Sequence, residues 1–425
     1  MLSGWSNAKD LNKKIDALMQ SAIEAETPGC NLGIMQKGEF LHKAGYGLAN
    51  LELNVLLDGN QVHRMASVSK QFTAMAVLML VEQGKIDLDQ DIHIYLPALR
   101  DYGHTVTVRQ MLGHTSGMGD YDLIADSYEG SKTENNTGLK SAAGGDFRLG
   151  NEDYLTISEF YDVVKRVPLA MPPKQKFQYS NLAYFLLSML VEEVSGQTLR
   201  EFSHQYVFKP LNMKHTFFSD NPVEIVKNRA YGYKQLENGS YVTDMTNLFW
   251  VGDGGLHTNL DDLLRWSDNF LQPKIGKSPQ TLINAMNTPN SQLQAGEGVF
   301  YGNGQFIHTF KGFHAYSHSG GWLGTATYFA RYPELELSFA MMCNDISNDQ
   351  VFEAFNEVRE AVFNTTRFQI ISATFMERCR RGGQLLKVVR SSRQRNKQYY
   401  HELSAVDRGQ KISDFGSFGT GNFGF

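Results

Sequence analysis

Residues 67–83 constrain the fold of this chain more than any other stretch. Phe72, Met75, Ala76, Val77, Leu78, Met79, Leu80 and Val81 leave no polar face at helical spacing. A helix that is apolar all round is buried on every side. Gly84 supplies its stop. Such a helix needs a large body around it. The chain has 425 residues, 42% of them hydrophobic and 12% aromatic, enough for one large two-lobed domain or two to three ordinary ones. The longest apolar run, near Phe72–Val81, is too short to cross a bilayer, so no transmembrane segment is expected.

The remaining pattern places this helix between two halves of a sheet. Leu11, Ile15, Leu18 and Ala22 recur at helical spacing before Pro28. Residues 30–36 and 39–46 read as strands joined by a tight turn at Lys37-Gly38. From about 90 to 230 the reading is mostly helical with long loops, and 182–194 forms a second apolar helix. Residues 127–150, rich in Gly, Ser, Asn and Thr, read as a mobile excursion. Asn238-Gly239 marks a hairpin. Three strand-like runs at 313–319, 325–331 and 336–343 are separated by short turns, which favours antiparallel pairing. Val351, Phe352, Phe355, Val358 and Val362 share one face of a last helix. The expected layout is a sheet lobe from about 1–90 and 250–365, with a mostly helical lobe, about 91–249, inserted. Residues 366–425 carry 11 Lys+Arg against 4 Asp+Glu and end in SDFGSFGTGNFGF, so they read as a basic, poorly ordered tail.

Composition excludes several classes. A net charge of -5 gives no whole-chain case for nucleic acid. The cysteines, Cys30, Cys343 and Cys379, are odd in number and lack C-x-x-C spacing, so reduced thiols are expected, with neither a disulfide framework nor a zinc site. No H-E-x-x-H or G-x-S-x-G occurs, and Gly276-Lys277-Ser278 has Leu271 where a phosphate loop needs its first glycine. No metal or cofactor is therefore expected. MLSGWSNAKDLNKK lacks a basic stretch followed by an apolar one, so no secretory leader is expected in the chain as written.

Three motifs carry chemistry. In Ser67-Val68-Ser69-Lys70, Ser67 and Lys70 are neighbours across one helical turn at the mouth of the buried helix. A helix N-terminus favours a developing oxyanion. A lysine held in a dry site loses basicity until it can accept a proton. The bland alternative for Ser67 is an ordinary N-cap, and Ser6-Asn7-Ala8-Lys9 repeats the spacing without such a setting. Tyr179-Ser180-Asn181 precedes the second apolar helix: the tyrosine can relay a proton and the asparagine can hold a carbonyl. Tyr301-Gly302-Asn303 shows how readily that spacing arises, so a core or rim tyrosine is the alternative. His318-Ser319-Gly320-Gly321 ends a strand, where a cation can hold a carboxylate and glycines admit substrate to the strand edge. A plain strand-end histidine is the alternative.

In order, spacing and setting, these motifs resemble the serine β-lactamase and penicillin-binding-protein family, specifically its class C-like branch. That branch includes D-alanyl-D-alanine carboxypeptidases, D-aminopeptidases and class VIII carboxylesterases. MASVSKQFTAMAVLMLVEQGKIDLDQDIHIYLP, TVRQMLGHTSGM, FQYSNLAYFLLSMLVEEVSGQTL with Pro210-Leu211-Asn212-Met213, and Gly252-Asp253-Gly254-Gly255-Leu256 with Asp261-Asp262-Leu263 are similar to its landmarks. The resemblance covers roughly residues 8–363. It implies an α/β (α+β) β-lactamase/transpeptidase-like fold: an antiparallel sheet flanked by helices plus a helical lobe. It implies an acyl-enzyme on Ser67, with Lys70 as base, Tyr179 as proton shuttle, and Asn181, His318, Ser319 and Gly320 toward the substrate. The N–H groups of Ser67 and Gly321 would form the oxyanion hole. The substrate would be a small ester, amide or peptide. An idle scaffold on the same fold is the alternative; the intact Ser67, Lys70, Tyr179 and Asn181 set argues against it. Two departures stand out. His318 occupies the place of the lysine in Lys-Thr-Gly, and nothing in the family matches the tail.

Overall fold

The computed structural model describes residues 2–121, 123, 154–247 and 251–381. The excursion at 127–150, and the tail from 382 onward, lie outside them. The described chain forms two compact units, the first from the two termini and the second from Ile23–Ser347.

In the first unit, helix α1 (Leu2–Ala22) runs against a long C-terminal helix (Asp349–Arg381). Ile15 and Met19 are buried on α1, as are Val351, Phe355, Val358 and Val362 on its partner. The C-terminal helix does not stop near 365. It continues to Arg381, so the change in charge balance is not where helical structure ends.

The second unit holds the sheet. Its strands are β1 (Cys30–Gln36), β2 (Glu39–Tyr46), β3 (Phe300–Gly302), β4 (Gln305–Phe310), β5 (Phe313–Trp322), β6 (Thr325–Tyr332) and β7 (Leu337–Cys343), in the order β3-β4-β5-β6-β7-β1-β2. All neighbours are antiparallel. The first two strands of the sequence thus complete a sheet begun by the last five, as the pattern at both ends of the chain requires. β6 and β7 are buried at every position.

The β1–β7 register sets Cys30 opposite Cys343, and the two form a disulfide although 313 residues separate them. This corrects the expectation of reduced thiols. Cysteine spacing carries no information about partners that only sheet pairing brings together.

Helix α2 (Lys70–Glu82) is buried from Lys70 to Leu80, as its apolar circumference demands. Phe72 packs on Trp266 at 4.3 Å between ring centroids. Trp266 belongs to the helix Leu260–Leu271, whose Ser267 hydroxyl lies 2.7 Å from that of Ser338 on β7. Helix α3 (Asn181–Ser195) is the second apolar helix, buried from Leu182 to Val191. The inserted lobe is helical only as far as a π turn at His204–Phe208; beyond it come the short strands Phe217–Phe218, Tyr233–Gln235 and Tyr241–Thr243.

Candidate active site

The turn before α2 presents one side chain to solvent. From Met65 to Leu80 every residue is buried except Ser67. A 3-10 turn, Ala66–Ser69, leads into α2, and Ala66 takes a left-handed φ of +44. An alanine held there costs about 1–2 kcal/mol, so the surroundings must hold the turn. Ser69 donates to Ala66 O at 2.5 Å and accepts from Leu256 N–H at 3.0 Å. Thr327 on β6 donates to Met65 O at 2.7 Å. Gly320 on β5 passes so close that a Cβ would meet Met65 O and the Thr327 hydroxyl at 2.4 Å and Ser67 N at 3.0 Å. Gly320 therefore lets the strand approach the turn. Gly321, next along, lies exposed on the same cleft as Ser67.

Of the two serines in this turn, Ser69 does the structural work. The Ser67 hydroxyl lies 3.1 Å from Lys70 Nζ. The N-cap alternative fails, because the cap of α2 is Ser69 and makes no side-chain capping bond.

Lys70 is wholly buried and donates to Ser67 Oγ, to Asn181 Oδ1 at 2.6 Å and to Asp253 O at 2.7 Å. An ammonium has three donors, and each has an acceptor. Burial draws Lys70 from 10.5 to about 8, with the Asp253 and Asp120 carboxylates resisting. The Tyr179 ring faces Nζ at 4.8 Å.

The Tyr179-Ser180-Asn181 segment is where α3 begins. Ser180 caps the helix by accepting from Ala183 N–H and donates to Gly119 O at 2.7 Å. Capping at the middle residue sets Tyr179 and Asn181 on either side of the helix mouth. The Tyr179 hydroxyl is buried and makes no hydrogen bond of good geometry among the described residues, and desolvation holds its proton well above the usual phenol range, Ser67 pulling the other way. His114 grips this segment. Its Nδ1 accepts from Ser180 N–H at 3.1 Å, its carbonyl accepts from Gln178 N–H at 2.8 Å, and its ring lies 4.3 Å from that of Tyr179.

His318 sits beside Tyr301 and Tyr179. It is buried, its Nε2 lies 2.9 Å from the Tyr301 hydroxyl, and its Nδ1 lies 2.5 Å from Ser319 O. The carbonyl can only accept, so Nδ1 carries the proton and Nε2 accepts from Tyr301. Burial, with Lys70 nearby, lowers its pKa to about 3. With its pKa so lowered the ring is a neutral hydrogen-bonding group in this site. Ser319 contributes its carbonyl to that ring.

The cleft beside Ser67 is lined by Arg64, Tyr121, Asn181, Asp253, Gly321 and Trp322. Two carboxylates belong to this cluster. Asp253 accepts from the Tyr121 hydroxyl, and Asp120 accepts from Asn181 Nδ2. Desolvation raises the pKa of both, with Lys70 opposing. Among the described residues no His, Cys, Asp and Glu group could hold a metal ion.

The model of the beta-lactamase family matches residues 11–362. The chain belongs to the beta-lactamase family. Penicillin-binding protein 4* of Bacillus subtilis is 26% identical over 347 residues, covering 76% of this chain and 70% of that protein. The octameric penicillin-binding protein homologue from Pyrococcus abyssi superposes with a TM-score of 0.66 at 25% identity, over 79% of this chain and 73% of that one. The D-amino acid amidase from Ochrobactrum anthropi SV3, at 21% identity, superposes with a TM-score of 0.67 over 84% and 99%. The beta-lactamase fold is therefore the frame of this site.

Within that frame the structure brings Ser67, Lys70, Tyr179 and Asn181 together and adds residues the motifs did not single out. Asp253 stood in the sequence only as part of a glycine landmark. Its carbonyl reaches Lys70 because Gly252, where a Cβ would strike Tyr184 O at 2.3 Å, lets that turn press against α3. His114 lies within the TVRQMLGHTSGM landmark and Asp120 just past its end. Tyr301, from the chance copy of Tyr-x-Asn, is the partner of His318.

Proposed function

We propose that the chain hydrolyses a small ester or amide through an acyl-enzyme on Ser67. The observation that carries this is Lys70 Nζ at 3.1 Å from Ser67 Oγ, in a site where burial has brought the lysine to about 8. Two of its N–H bonds go to fixed acceptors, Asn181 Oδ1 and Asp253 O. Loss of the third proton leaves a lone pair aimed at the Ser67 hydroxyl. Near pH 7.5 the lowered pKa raises the neutral fraction of Lys70 about 200-fold over that of an ordinary lysine.

Ser67 Oγ then bonds to the acyl carbon while its proton passes to Lys70. The carbonyl oxygen becomes an oxyanion at the N–H groups of Ser67 and Gly321, where one donor is worth about 3–4 kcal/mol. Collapse expels the leaving group, which takes a proton by way of Tyr179. Water cleaves the ester on Ser67 in the second half.

The neutral state of His318 favours an acyl donor without a carboxylate to anchor, so short esters should be turned over faster than cephalosporins. The relative named a D-amino acid amidase supports an amide as the other candidate leaving-group chemistry. Intact-mass spectrometry after incubation with a fluorophosphonate tests the reading. Wild type should gain one adduct and Ser67→Ala none; an unlabelled wild type, or a labelled Ser67→Ala, defeats it.

A further inference from the structure

The Asn181 side chain has two ends, and both are occupied. Its Oδ1 accepts from Lys70 at 2.6 Å, and its Nδ2 lies 3.1 and 3.0 Å from the two carboxylate oxygens of Asp120. We infer that Asp120 is a positioning residue, which fixes the Asn181 amide end for end and through it aims Lys70 at Ser67. The inference rests on the acyl-Ser67 chemistry proposed above.

The argument is one of donors and acceptors. An ionised carboxylate only accepts, and an ammonium only donates. With Asp120 on one side and Lys70 on the other, the amide has one favourable orientation. Reversed, its oxygen would face a carboxylate and its NH2 an ammonium. Asp120 is itself held in place, since one oxygen accepts from Tyr121 N–H at 2.8 Å. The hydrogen bond from Ser180 to Gly119 O ties the neighbouring residue to the mouth of α3. Asn181 is thereby assigned chiefly to Lys70, and only secondarily to substrate.

Asp120 also acts by charge. Lys70 faces the Asp120 and Asp253 carboxylates, the phenols of Tyr179 and Tyr184, and the imidazoles of His114 and His318. Burial holds both imidazoles neutral. Asp120 faces Lys70 and the like charge of Asp253. Removing the Asp120 charge therefore lowers the pKa of Lys70.

A mutant cycle tests this, with p-nitrophenyl acetate as the probe. Asp120→Asn offers Asn181 both a donor and an acceptor, so the amide loses its preference. We expect kcat/KM to fall up to about 100-fold, the scale of a misplaced catalytic group. Asn181→Ala should cost a similar factor, and the double variant no more than about 3-fold beyond Asn181→Ala, because one residue works through the other. The acid limb of the kcat/KM profile should move to lower pH in Asp120→Asn and stay near its wild-type position in Asp120→Glu. Multiplying losses in the double variant would overturn the inference. So would a loss that persists without Asn181 and changes when the probe is replaced by the cationic glycine p-nitrophenyl ester, which would mark a direct substrate contact. Titration of 13C-labelled lysine by NMR in the Ser67→Ala background reads the Lys70 pKa without turnover. A lowered value in Asp120→Asn supports the inference even if wild type proves inactive, in which case the hydrolase reading alone fails. An unmoved Lys70 overturns the inference whatever the activity.

Discussion

Lys70 and His318 are two bases buried in one site, and their surroundings give them opposite fates. Desolvation is the largest influence on both. Lys70 comes down from 10.5 to about 8, and His318 from 6.5 to about 3. The difference lies in their neighbours. Lys70 faces two carboxylates that restore part of its charge, whereas the charge His318 meets is Lys70 itself. Burial pushes both toward the neutral form. Counter-charges keep Lys70 within reach of physiological pH, which suits a general base, while His318 becomes a fixed hydrogen-bonding ring.

The largest test of that contrast removes the lysine. Lys70→Ala should lower kcat/KM for p-nitrophenyl acetate about 1,000-fold, within the range for a positioned general base. A variant within tenfold of wild type would show that the proton goes elsewhere.

The pH profile comes next. The base works when neutral, so kcat/KM should rise as pH climbs through about 8, the value set by burial of Lys70. From pH 6 to 8 the gain should approach about 50-fold. No inflection should appear near 6.5, because His318 is already neutral there. An inflection near 6.5 that disappears in His318→Gln would reverse the comparison.

A smaller effect is expected from His318→Gln. Glutamine can donate to Ser319 O and accept from Tyr301, so a neutral wall residue predicts less than about a 3-fold change in ester turnover, with a stability loss of about 1 kcal/mol. Steady-state kinetics and thermal melts on the same samples separate the two effects. A 30-fold loss with an unchanged melt would restore a charged role for His318.

The smallest effect on activity belongs to the disulfide. Cys30 and Cys343 join β1 to β7 and do not line the cleft beside Ser67. Cys30→Ala should lower stability by about 2–4 kcal/mol and leave the pH profile in place. Parallel melts with and without reductant check this; a wild type insensitive to reductant would deny the bond.

The regions legible in the sequence are those whose cause is local. β1 and β2 were readable to the residue as strand-like runs either side of the tight turn at Lys37-Gly38, and α2 from its apolar circumference. Ser67 and Lys70 were readable because one helical turn brings i and i+3 together wherever it occurs. Tyr179 and Asn181 were readable because Ser180 caps a helix between them. The Cys30–Cys343 bond and the Tyr301–His318 pair were not, since each depends on strand register. The end of the last helix was not legible either: charge balance changes at 365, but helical hydrogen bonding is indifferent to net charge and continues to Arg381.

The sequence by itself determined the buried helix, the antiparallel pairing at both ends of the chain and the serine–lysine spacing, because periodicity and i, i+3 geometry are written along the chain. Only the tertiary structure decided which serine faces the cleft, that the His318 ring is buried against Tyr301, and that Asp120 and Asp253 stand behind Lys70. Protonation depends on how much water surrounds a group and which charges face it. Here those charges come from residues 50 and more positions away, brought together by packing that no local pattern records.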